Sequence, residues 1–164
     1  TLVFGDALAI VLSRLAGFGE SNYALFHPAG SLGKRLILTA GDLMHGAAEG
    51  AAVPSGTLLK DAIIEMSSTS LGAVAVVTPE NDLRGVVTDG DLRSVFVKKG
   101  DIHKLDVDAV MTNDPARVST DSLAIDALRK MNDANITSLV VVDDDRKFAG
   151  ILKMADVIKA GLVL

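Results

Sequence analysis

Residues 57–66 read TLLKDAIIEM and residues 122–131 read SLAIDALRKM, and the correspondence runs on from there without a gap. At the same displacement of 65 positions, AVAVV (73–77) falls on SLVVV (138–142) and LRGVVTDGDL (83–92) falls on FAGILKMADV (148–157). Identities stand at Leu58/Leu123, Asp61/Asp126, Ala62/Ala127, Met66/Met131, Val76/Val141, Val77/Val142, Gly85/Gly150 and Asp91/Asp156. Shared composition does not produce one ungapped register of this kind, so the chain carries an internal repeat. A looser echo, GDLMHG (41–46) against DAVMTN (108–113), precedes it, so each copy extends over about fifty residues.

Within a copy the hydrophobic period changes in a readable way. Leu58, Leu59, Ala62, Ile63 and Met66 recur at helical spacing behind a candidate cap at Thr57, which predicts an amphipathic helix of about three turns. A β-branched run at 73–78, a polar turn PEND (79–82) and a second run at 83–88 predict a hairpin. Asp89 is a candidate cap for a second helix through about Lys98. The second copy repeats the order: helix 122–134, strand 138–142, turn DDDRK (143–147), strand 148–152 and a helix from about 154. With a short strand near Ala52–Val53 and another near Arg117–Ser119, each copy is a β-α-β-β-α unit. One such unit cannot bury both faces of its small sheet, so the two are expected to pack as a pseudo-symmetric α/β (α+β) pair.

The first forty residues break the pattern. TLVFGDALAIVLSRLAGF is a mostly apolar helix that should end near Gly17, with Asp6 and Arg14 as its only charges. Ser21 can cap a short helix through Phe26, Pro28 and Gly30 break it, and SLGKRLIL (31–38) starts another. The expected division is therefore 1–40 as the end of a larger domain with its linker, 41–105 as the first copy and 106–164 as the second.

Composition removes several functions. The 164 residues are 49% apolar, enough for the core of one compact domain, or of one domain plus a fragment. With 4% aromatics, no Trp, one Tyr and a net charge of −5, the chain has neither stacking platforms nor a basic footprint for nucleic acid. Asp6 and Arg14 interrupt the longest apolar run, so no membrane span is expected. There is no Cys for disulfides or zinc, which fits a reducing, cytoplasmic setting. The chain begins at Thr1 and shows no secretory leader, so it reads as a piece of a longer protein. His27, His45 and His103 have no paired metal spacing, and no metal is expected. Gly30 and Gly33-Lys34 are too close for a Walker loop, and Asp143–Asp145 lacks the glycine of a calcium loop. Met66 and Met131 fall on apolar helix faces and belong to the core.

Gly85-Val86-Val87-Thr88-Asp89-Gly90-Asp91 fits the Gly-apolar-x-Thr/Ser-x-x-Asp signature of cystathionine β-synthase (CBS) domains, and the repeat resembles a tandem CBS pair, or Bateman module. In that arrangement Thr88 closes a strand and Asp91 sits in the first helical turn, where hydroxyl and helix amides suit phosphate and the carboxylate suits ribose hydroxyls. In the second copy Gly150 and Asp156 remain, while Lys153 replaces the hydroxyl residue and offers a point charge for phosphate or a sugar carboxylate. The resemblance implies that Thr88 and Asp91 face Met111, Thr112 and Val118, and that Lys153 and Asp156 face Met44, His45 and Val53. GDALAIVL, FHPAGSLGKRLIL and AGDLMH ahead of a pair carrying TDGDLR are similar to the C-terminal half of bacterial arabinose 5-phosphate isomerases, which join a sugar isomerase (SIS) domain to a CBS pair. Ala29 stands where relatives often have a second glycine.

That likeness implies a parent enzyme that interconverts ribulose 5-phosphate and arabinose 5-phosphate for Kdo, an acidic sugar of lipopolysaccharide and some capsules. His27 then matches an active-site histidine, and an imidazole suits the proton transfers of aldose–ketose isomerisation. The rest of the catalytic set lies upstream, so this chain alone is expected to be inactive. The implied ligand is a regulatory nucleotide or nucleotide-sugar, namely CMP-Kdo, AMP or ATP, with no cofactor required. The implied partners are the upstream SIS domain and further copies in a dimer or tetramer. The alternative is that the pair, whose helices 57–69 and 89–98 offer apolar surface beyond one core, is an oligomerisation element without a physiological ligand.

Overall fold

Alternation along AVAVV (73–77) decides how the first copy packs, because successive side chains of a strand point to opposite faces. Val74 and Val76 turn one way, Ala73 and Ala75 the other, and all four are buried. A strand apolar on both faces must be covered on both. A computed structural model, which describes residues 2–17, 31–97 and 102–164, shows what covers it.

The chain forms two compact units, the first ending at Leu38 and the second running from Thr39 to Leu164. The first contains α1 (Leu2–Leu15), which buries none of its residues, and α2 (Ser31–Ile37). Helix α1 stops in a turn at Ala16–Gly17, where Gly17 takes a φ of +65° as a glycine stop requires. The short helix expected between Ser21 and Phe26, its Pro28–Gly30 break and His27 all lie outside the described residues. Among those residues no helix is long and apolar enough to cross a membrane.

The second unit begins with α3 (Ala40–Leu43), β1 (His45–Gly46) and β2 (Ala52–Pro54). Then come α4 (Leu59–Thr69), β3 (Ala73–Val77), β4 (Leu83–Thr88) and α5 (Asp89–Val97). The second copy supplies β5 (Thr112–Asn113), β6 (Arg117–Ser119), α6 (Ala124–Asp133), β7 (Ser138–Val142), β8 (Phe148–Lys153) and α7 (Met154–Lys159). The β-α-β-β-α order holds in both copies. Strand β2 pairs parallel to β3 and β3 antiparallel to β4, while β6, β7 and β8 repeat both pairings 65 residues on, bulge included.

Two capping expectations need correction. The Thr57 hydroxyl donates to Pro54 O at 2.6 Å, so α4 begins after Leu58 with no side-chain cap. The turn before the helix, which places Gly56 at φ +82°, has already claimed that hydroxyl. Asp89 is itself the first residue of α5, and the capping falls to the residue before it.

A further departure from expectation concerns the short strands at the start of each copy. β1 pairs with β8 and β5 pairs with β4, so each sheet takes its fourth strand from the other copy. The exchange reaches further back: Ala40 N donates to Ser122 O and Val107 N to Thr57 O. It relies on two glycines. A Cβ on Gly85 would stand 2.8 Å from both Met111 Sδ and Thr112 O, and one on Gly150 would stand 2.5 Å from His45 O. No side chain fits beneath either crossing strand.

The two sheets face each other through Ala73, Ala75, Val86, Val140, Val142, Phe148 and Ile151. On its other face the first sheet packs Val53, Val74, Val76 and Val87 against Leu59, Ala62 and Met66 of α4 and Val95 of α5. Met131 is fully buried, as its helical position predicts. The hairpin tips meet on the pseudo-twofold axis, where Asp82 bridges Lys147, its own counterpart in the repeat. There Lys147 Nζ lies 3.2 Å from Asp82 Oδ1, and Asn81 Nδ2 donates to Phe148 O at 2.8 Å.

Gly85→Ala and Gly150→Ala should each destabilise the fold by about 1–3 kcal/mol, because the clash falls on backbone as well as on a flexible side chain. Gly46→Ala, whose Cβ would lie 3.8 Å from its nearest neighbour, is the control and should stay within about 0.5 kcal/mol. Urea unfolding of the three variants checks both expectations.

Candidate functional site

The signature residues close β4 and open α5. Asp91 Oδ2 accepts from Thr88 N at 2.8 Å and from Thr88 Oγ1 at 2.7 Å, and Asp91 N donates back to Thr88 Oγ1 at 3.4 Å. This is a reciprocal cap, a two-way pairing that satisfies amides at a helix start. Thr39 and Asp42 build the same device at α3. At α5 it has an added feature. The second oxygen, Asp91 Oδ1, accepts from the Thr112 hydroxyl at 3.3 Å, across the join between the copies.

Beside this cap lies a cavity of about 370 Å³. Thr88, Asp89, Gly90 and Arg93 form one side, Thr112, Pro115 and Ala116 another, and Thr137 and Ser138 a third. Val86, Leu139, Val140 and Ile151 give it an apolar lining, so polar groups ring a largely hydrophobic hollow. Arg93 is the only basic residue among the described residues that line it. Its Nε donates to Asp89 O at 3.3 Å, one turn back.

Of the first predicted set, Thr88, Asp91 and Thr112 come together. Met111 packs over Gly85, where its Sδ fills the space of the missing Cβ. Val118 does not join them: it sits in β6, paired with Val141 in the other sheet. Sequence reasoning missed Arg93, Thr137 and Ser138. Arg93 had a signal, since it follows Asp89 by four residues and so shares its helical face. Thr137 and Ser138 had none, because two hydroxyl residues ahead of a strand also read as an ordinary turn.

In the second predicted set, Asp156 Oδ2 lies 2.9 Å from His45 Nε2, and Met44 Sδ packs over Gly150. Lys153 turns elsewhere, and its ammonium donates to Ser70 O at 2.6 Å. Val53 belongs to the core of the first copy. The other nitrogen of His45, Nδ1, lies 2.7 Å from Glu49 Oε2, so the protonated imidazole donates to two carboxylates. The bond to Asp156, then that to Glu49, raise the His45 pKa above its ordinary 6.5, against the effect of burial. Burial works to raise the Asp156 carboxyl, but hydrogen bonds from His45 and Lys159 outweigh it and hold the group below its ordinary 3.8.

Two β-α-β-β-α units that each lend a short leading strand to the other's sheet, with a Thr-x-x-Asp cap beside a cavity between them, define a paired repeat of a known class. The sequence profile of the CBS domain matches residues 40–98 and 107–163, and the chain belongs to the CBS-domain family. More particularly, it is 41% identical over 163 residues to arabinose 5-phosphate isomerase KdsD of Salmonella typhimurium, which covers 99% of this chain and 49% of that protein. KdsD of Pseudomonas aeruginosa is likewise 41% identical, over 99% of this chain and 50% of its own length. The chain thus spans about half the length of the curated relatives it matches, and the match falls on their C-terminal half. Among solved structures it is similar to CBSX2, a protein of Arabidopsis thaliana, in complex with AMP. That structure is 28% identical with a TM-score of 0.66, covering 76% of this chain and 96% of the other.

The raised pKa of His45 has a definite sign in stability. A group that binds its proton more tightly when folded stabilises fully below 6.5, and that contribution is lost as pH rises through the folded value. NMR titration should therefore find His45 above 6.5, and Asp156→Asn should bring it back toward that value. His45→Gln should remove the corresponding fall in stability as pH rises above 6.5.

Proposed function

We propose that this chain is the regulatory half of an arabinose 5-phosphate isomerase, and that the cavity beside Thr88 and Asp91 holds a nucleotide or nucleotide-sugar. The observation that carries the reading is that cavity, about 370 Å³, lined by both copies and flanked by the Thr88–Asp91 cap. Among the described residues Asp91 Oδ1 accepts only the 3.3 Å bond from Thr112, and it is the natural acceptor for ribose hydroxyls. The first turn of α5, with Gly90 and Arg93 on the cavity wall, suits a phosphate. Both the AMP bound to CBSX2 and the 41% identity to KdsD support this assignment.

The parent would interconvert ribulose 5-phosphate and arabinose 5-phosphate in the cytoplasm on behalf of Kdo synthesis. Its catalytic SIS domain lies upstream, with His27 contributing from the end of that domain, and the present chain alone is inactive. No cofactor takes part. CMP-Kdo, the activated end product of such a pathway, combines a nucleotide with a carboxylate that Arg93 can meet, while AMP and ATP compete for the same role. Regulation then requires that the ligand bind two states of the whole enzyme with different affinity.

A second reading, the oligomerisation element, has its own observation. Ile64 on α4 and Phe96 and Val97 on α5 are 65%, 60% and 83% exposed, which suits a homodimer or tetramer joined through these helices. The two readings separate cleanly. Calorimetric titration with CMP-Kdo, AMP, ATP and CMP should give saturable binding of at least one, weakened at least about tenfold by Thr88→Ala with Asp91→Ala at unchanged association state. Absence of binding by all four ligands would overturn the nucleotide reading in favour of the second.

A further inference from the structure

The repeat carries the open cleft onto a second location within the same fold. Thr88 corresponds to Lys153, Asp91 to Asp156 and Asn135 to Ser70. Strand register adds Thr112 and His45 to the correspondence, since the first pairs with Val86 and the second with Ile151, which is Val86 in the other copy. The two places can therefore be compared group by group.

At the open cleft the short side chain of Thr88 folds back on Asp91, and the space toward residues 134–138 is the cavity. At the second, Lys153 stands at the position of Thr88 and its ammonium rests at 2.6 Å on the carbonyl of Ser70, the counterpart of Asn135 beside the first cavity. Asp91 Oδ1 meets a neutral hydroxyl at 3.3 Å, whereas both oxygens of Asp156 are taken, Oδ2 by His45 at 2.9 Å and Oδ1 by Lys159 at 3.3 Å. His45 is fixed in turn by Glu49, which exists here because β1 and β2 are joined by residues 47–51, while β5 and β6 are joined by 114–116 alone. A ribose hydroxyl arriving at Asp156 would have to displace charge-assisted bonds, which are the stronger kind.

We propose that the second cleft is filled by the protein's own side chains, with Lys153 and His45 standing where ligand groups sit in the first, so that one chain takes one nucleotide and not two. The nucleotide itself rests on the function proposed above, but the filling of the second cleft does not. Lys153→Thr with His45→Thr copies Thr88 and Thr112 into the second cleft and leaves Asp156 in place. Both positions are only half-buried, so the variant should fold.

The test counts AMP, and in parallel CMP, bound per 164-residue chain by calorimetry, with amide shifts in NMR spectra locating each site. The expected result is one site in the wild type and two in the double variant, the added one shifting Ser70 and Met154. Two sites in the wild type, or no site gained by the variant, would overturn the proposal. Should the wild type bind neither probe, the nucleotide reading passes to the ATP and CMP-Kdo titrations, while the filled cleft is still judged here: a variant rising from none to one supports it, and a variant remaining at none refutes it. If the double variant does not melt cooperatively, Lys153→Thr alone carries the same count.

Discussion

Two backbone crossings hold this module together. At Gly85 and Gly150 a strand from the other copy passes so close that a single methyl group would meet carbonyl oxygen. Through those crossings β5 covers the edge of β4 and β1 covers the edge of β8, so neither small sheet presents that edge to solvent. The copies are thereby interleaved rather than docked. Separating them would strip a strand from each sheet and expose the Ala73, Ala75, Val140 and Ile151 surface between them.

The same crossings place the site. Thr112 reaches Asp91 only because β5 lies across Gly85, and His45 reaches Asp156 only because β1 lies across Gly150. A local device, the Thr88–Asp91 cap, thus becomes an element of a junction between copies. It serves two ends with the same atoms: one carboxylate oxygen ends the strand and starts the helix, and the other faces the partner copy. Divergence between the copies then acts on one template. A lysine for a threonine and a longer β1–β2 connection turn a hollow junction, where a hydroxyl meets the carboxylate, into one cross-linked by charged side chains.

Much of this was legible in the chain. The 65-residue displacement gave the element order and the hairpins, and the strand boundaries at Ser138–Val142 and Arg117–Ser119 agree with the structure to the residue. Thr88, Asp91 and Thr112 were placed together through the family signature, and they meet. The misses have local causes. Thr57 carries the right side chain for a cap, but the turn ahead of it uses the hydroxyl first. Lys153 was read as a point charge for a ligand because it takes the hydroxyl position of the signature, and nothing in the sequence shows Ser70 O within its reach. Val118 and Val53 were expected near the sites, yet Val118 is not among the residues that line the cavity and Val53 packs in the core of the first copy.

By itself, then, the sequence determined the two copies, their periodicities and the chemistry available at the end of each second strand, since these depend on neighbours within a few residues along the chain. Only the tertiary structure decided that the opening strands change places, that Arg93, Thr137 and Ser138 share a cavity with Thr88, and that the two equivalent clefts differ. Those outcomes depend on which backbone can approach which. That is a question of a missing Cβ at Gly85 and Gly150 and of distances between residues tens of positions apart, and no local pattern encodes it.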